Sequence, residues 1–118
     1  MDKERLIEIP KRVKVGPYTY QVVTPTDTLD DLGRYGDVRH RKCEIRVDAT
    51  QIIPLVRTTL LHEVLHAITD VFLPTEDQLS DKHVHALVYA LLLFAADNPE
   101  AMSYIFDGDI RHTDHRPS

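Results

Sequence analysis

The chain has one cysteine, Cys43, in 118 residues. A single thiol cannot form an intrachain disulfide, and the sequence predicts a reducing, cytoplasmic setting. Cys43 itself is expected as a small half-buried strand residue, not a nucleophile. Long apolar runs are missing too. The most apolar stretch, Ala86 to Ala96, is too short to cross a bilayer and begins among histidines, so it is predicted as a buried helix, with no membrane partner. Met1 to Arg5 is charged and holds no apolar stretch of signal-peptide length. Positive charge is in deficit: 14 Lys and Arg stand against 19 Asp and Glu, a net charge of −5. That balance argues against a phosphate-backbone surface, so no nucleic-acid partner is expected. Also lacking are a nucleotide-binding glycine pattern, a local Ser-His-Asp or Cys-His constellation, internal repeats and low-complexity linkers.

What is present is an ordinary globular composition, 28% charged and 42% hydrophobic. The length suits one domain, predicted over 1–106, followed by a tail over 107–118 with little to bury. Leu6 to Val15 and Tyr18 to Val23 alternate about Gly16-Pro17, predicting a hairpin. Thr26 to Asp31 reads as an acidic loop. Gly36 to His40 and Cys43 to Asp48 predict a second hairpin turning at Arg41-Lys42. Pro54 to Phe72 predicts an amphipathic helix, with Leu61, Val64, Leu65, Ile68 and Phe72 as its apolar stripe. After a short connector, Ser80 is the expected N-cap of a second helix to Asp97, and Asn98-Pro99 opens a third to Phe106.

The most informative five residues are His62-Glu63-Val64-Leu65-His66. Two imidazoles four apart on a helix lie on one face about 6 Å from each other, close enough to share a tetrahedral zinc ion. Glu63 is rotated by roughly 100° from His62, beside the metal without ligating it, where a general base is needed. A third protein ligand must come from elsewhere. A metzincin arrangement would need Gly and His at the positions held by Thr69 and Phe72. Asp70 shares the histidine face but lies about 12 Å along the axis from His62, so it reads as an outer-shell carboxylate or a plain polar residue. The second helix offers Asp81, His83 and His85. His85, beside the apolar face of Val84, Leu87, Val88, Leu91 and Ala95, is the first candidate, Asp81 one turn earlier the alternative, and His83 the weakest.

The run from Thr59 to Asp70 resembles the active-site helix of zincin metallopeptidases on the gluzincin side, where thermolysin-type enzymes carry a similar His-Glu-x-x-His-Ala-x-Thr-Asp string. The layout from Cys43 to Glu100 also looks like the minimal zincin domains of phage and mobile elements, which commonly close with a run like Asp97-Asn98-Pro99-Glu100. The resemblance implies an α+β, zincin-like fold: a small antiparallel sheet, an active-site helix, a ligand-bearing helix and a short C-terminal helix. It implies a zinc peptidase in which His62, His66 and the residue matching the family's third ligand hold Zn2+. The family usually places Glu there, and the matching position holds His85. It further implies that the strand Cys43 to Asp48 floors the cleft and aligns an extended peptide or protein substrate. Glu63 would move the proton from water to the leaving amine. Tyr89, Tyr104 and His112 are candidates for stabilising the oxyanion. The competing reading is a non-catalytic protein-binding module with a structural or absent metal. A third is a hydrolase of non-peptide amides or esters, since the motif specifies water activation and not the bond cleaved. The His112/His115 pair, the basic run Arg39 to Lys42, and the pairs Asp30-Asp31 and Glu76-Asp77 are expected as solvated surface. Oligomeric state is not legible.

Overall fold

The computed structural model describes residues 8–25 and 35–108. Within them, alternating apolar residues build a four-stranded sheet of order β1-β2-β4-β3, from β1 (Arg12–Val15), β2 (Tyr18–Val23), β3 (Gly36–Arg39) and β4 (Glu44–Val47). The first hairpin turns at Gly16-Pro17, with Val15 opposite Tyr18. Gly16 sits at φ +57, and a Cβ there would stand 3.1 Å from both Phe72 Cζ and Val71 Cγ1, so the left-handed backbone and the close approach both favour glycine. The second hairpin turns through a 3-10 segment at His40–Lys42, closed by Cys43 at φ 49.

The sheet is mixed, not antiparallel throughout as the resemblance implies. β2 runs parallel to β4, with Val22 opposite Ile45, because β3 runs antiparallel to β2 and its hairpin partner β4 lies between the two. In consequence Cys43 to Asp48 does not form an edge. β4 is interior, and among the described residues β3 is the outer strand beside it. Some expectations have no structural counterpart: residues 1–7, the loop Thr26 to Asp31, and His112 and His115 all lie outside the described residues.

Helix α1 (Ile53–Phe72) lies against the sheet. It carries two apolar stripes, and the sheet takes the one through Val56, Leu60, Val64, Ala67 and Val71. They meet Val15, Tyr20, Val22, Ile45 and Val47, the buried faces of three strands. Of the stripe expected from sequence, only Val64 belongs to this core; Leu61 and Leu65 are half-buried, and Ile68 and Phe72 are exposed. Each fully buried aliphatic side chain, such as Ile45 or Val47, contributes about 1.5–3 kcal/mol.

Helix α2 (Asp81–Asp97) packs on α1, and the short α3 (Pro99–Phe106) packs on α2. Ser80 caps α2 by accepting from the His83 backbone N–H. The helix buries Val84 and Val88, while Leu87, Tyr89 and Leu91 to Phe94 stay exposed, contrary to the buried helix expected for Ala86 to Ala96. The reason is its position: the sheet packs on α1, which leaves α2 covered chiefly by α1 and α3. No helix among the described residues is long and apolar enough to cross a membrane.

The outer strand is pinned to the rest from both sides. Arg46 grips Asp37, its cross-strand partner, with two parallel hydrogen bonds, Nε to Oδ1 at 2.7 Å and Nη2 to Oδ2. Gly36 lets β3 approach α1, since a Cβ would fall 2.6 Å from Thr59 Cγ2, 3.0 Å from the Arg46 carbonyl oxygen and 3.2 Å from Glu63 Cγ. Gly36→Ala is therefore expected to cost about 1–3 kcal/mol by overpacking. In urea unfolding this appears as a lower midpoint at unchanged slope. An unchanged midpoint would contradict the close contact.

Candidate metal centre

The junction between β4 and α1 aims the helix. Asp48 is buried, and its Oδ1 accepts from the Thr50 backbone N–H at 2.9 Å and the Thr50 hydroxyl at 2.6 Å. Gln51 Nε2 donates to the Asp48 carbonyl at 2.9 Å and to Thr59 Oγ1 at 3.3 Å, tying the turn to the second turn of α1. Pro54 occupies the first turn, where its missing N–H is no loss. So directed, the next helical turn carries Glu63 beneath β3 and His62 and His66 beside it.

His62 Nε2 and His66 Nε2 lie 3.2 Å apart. Asp81, the first residue of α2, places Oδ1 2.7 Å from His66 Nε2 and 3.3 Å from His62 Nε2. Among the described residues these three form a group able to hold a metal ion, with ligand atoms all within 4.8 Å of one another. Ligands 2.0–2.2 Å from a tetrahedral zinc stand about 3.3–3.6 Å apart. Two of the three separations match that edge, and the third needs a shift of well under 1 Å. Two neutral imidazoles and one carboxylate are also a donor set that zinc accepts. Hydrogen bonds from His66, and then from His62, hold the Asp81 carboxyl below the usual carboxylate range.

Glu63 is 7% exposed and lines the same cleft of about 600 Å3 as the three ligand candidates. The cleft is walled on one side by Tyr35 to Val38, and on the other by α2. His85 and Tyr89 line it too, one and two turns beyond Asp81, with their rings edge to face at 4.9 Å.

The structure thus brings His62, His66 and Asp81 together and leaves His85 in the wall of the cleft, beside the group and not in it. Asp70 pairs with His40 Nδ1 at 3.3 Å, on the β3–β4 turn, so it steadies neither His62 nor His66. His83 turns back to Ser80 Oγ at 3.0 Å, and Tyr104 is 89% exposed on α3. His85 stood first on the apolar face of α2 and on the family's third-ligand position, with Asp81 the alternative; the structure brings Asp81 to the two histidines. Gln78 bonds back to Thr69, so the chain has already doubled back beside the last turns of α1 when α2 begins, level with His66.

Asp81→Ala is expected to weaken zinc binding by more than the roughly 10–100-fold that loss of an outer-shell group costs. His85→Ala should leave the affinity within that range or unchanged. Competition titration with a chelating dye separates the two, and the reverse order would return the third ligand to His85. The chain matches no protein-family model, no curated protein and no solved structure.

Proposed function

We propose that the chain is a zincin-like, zinc-dependent peptidase that holds its metal with His62, His66 and Asp81. The observation that carries this reading is the convergence of those three side chains in a cleft that also holds Glu63. A structural zinc has no use for that carboxylate, and structural sites close their coordination with a fourth protein ligand. Among the described residues the group has three members.

Bound at this position, zinc would polarise a carbonyl oxygen and bring the pKa of a coordinated water toward neutrality. Glu63 takes the proton of the attacking water and returns it to the leaving amine. Its place under β3 keeps the carboxylate fixed while the proton moves. His85 and Tyr89 donate from the α2 side of the cleft to the oxygen on which negative charge develops. The outer strand β3 offers main-chain groups to an extended substrate, the role that the family resemblance implied for Cys43–Asp48.

Incubation of the zinc-loaded protein with a mixed peptide library tests the proposal. Chelator-sensitive cleavage is expected. Metal bound at full occupancy with no cleavage of any peptide would favour the non-catalytic binding module instead.

A further inference from the structure

Asp81 has 87% of its side-chain surface exposed, so no packed wall holds it beside His66. Its position derives from the backbone at the start of α2. The connector Leu73 to Ser80 is shortened by a 3-10 turn at Thr75–Asp77, but its length alone does not set that position, because eight residues reach about 26 Å when extended. Something must fold it back. The side chain of Gln78 does so at both of its polar atoms. Nε2 donates to the Thr69 carbonyl at 2.8 Å, which also accepts the Leu73 backbone N–H at 2.9 Å, and to the Leu73 carbonyl at 3.1 Å, so the clasp closes on the last backbone groups of α1. Oε1 accepts from the Thr69 hydroxyl at 3.0 Å, and the same hydroxyl lies 3.0 Å from the His66 carbonyl. Thr69 is buried, so this end of the clasp is fixed in the body of the domain. Two residues after Gln78, Ser80 caps α2, and Asp81 follows.

The geometry points to Gln78 as a positioning residue for the metal centre: its clasp on Thr69, one turn beyond His66, sets Asp81 level with the two histidines. The inference rests on the metal reading of that site. Gln78 touches neither the metal group nor the cleft, and it acts only through the backbone that carries Asp81.

Gln78→Met keeps the side chain's length and removes both polar ends. Zinc affinity, read by dye competition, is expected to fall about 10–100-fold, the range for groups that orient a ligand. Thr69→Val, which removes only the opposing hydroxyl, should move it in the same direction, and decides the matter should Gln78→Met lack helical circular dichroism. The discriminating step is a double-mutant cycle. In an Asp81→Ala background, binding by the two histidines remains measurable, and Gln78→Met should weaken it no further. A full loss repeated in that background would mean general loosening and would overturn the proposal. So would wild-type affinity in both single variants. Absence of zinc binding by the wild type would instead overturn the metal reading itself, and that result is visible before any variant is made.

Discussion

His66→Ala is expected to abolish high-affinity zinc binding. His66 contributes one of two imidazole nitrogens 3.2 Å apart and makes the shortest contact to Asp81, at 2.7 Å. Its removal leaves His62 and an exposed carboxylate, too few donors for a tight site. The loss should exceed the roughly 100-fold that marks the upper range for an outer-shell partner. It also reads out without catalysis. A ligand that binds only the folded state at 100 times its dissociation constant adds about 2.7 kcal/mol of stability, worth on the order of 10 °C in melting temperature for a domain of this size. The wild type should show that shift on zinc addition, and His66→Ala should show none at the same concentration. An equal shift in both would place the metal elsewhere.

Glu63→Gln is expected to give the second large effect, with the opposite signature. The substitution keeps the size of a buried side chain that sits within 3.2 Å of the space left by Gly36, so the packing of β3 on α1 is preserved. The amide has no basic oxygen able to take a proton from water. Zinc stoichiometry and the zinc-induced melting shift should therefore match the wild type, while kcat falls by about 10²–10⁴, the usual worth of a positioned general base. That corresponds to roughly 3–5 kcal/mol of lost transition-state stabilisation. Turnover that survives the change would assign the proton transfer to another group in the cleft, with His85 the first to examine.

The elements that local chemistry dictates were legible in the chain. Gly16-Pro17 marked the first turn, Pro54 and Ser80 marked helix starts, and Asn98-Pro99 opened the last helix. The i, i+4 spacing of His62 and His66 was sufficient to bring their nitrogens together. What depended on how separate elements meet was not legible. Alternation cannot distinguish an interior strand from an edge strand, so the parallel pairing that buries β4 between β2 and β3 was missed. Both sides of α1 are apolar, so periodicity did not say which stripe the sheet takes. The approach of Asp81 to the two histidines follows a connector in which Gln78, a polar residue, makes backward hydrogen bonds that leave no periodic trace. The close fit of Gly36 against Thr59 and Glu63 was equally silent, because one glycine in a strand marks a close approach without naming what approaches.

The first measurement is zinc content, by elemental analysis, of tag-free wild-type protein purified without added metal. Close to one zinc per chain, lost in His66→Ala and retained in Glu63→Gln, is the predicted result. No zinc as purified, and none taken up on titration at neutral pH, would contradict the metal centre and the peptidase built on it.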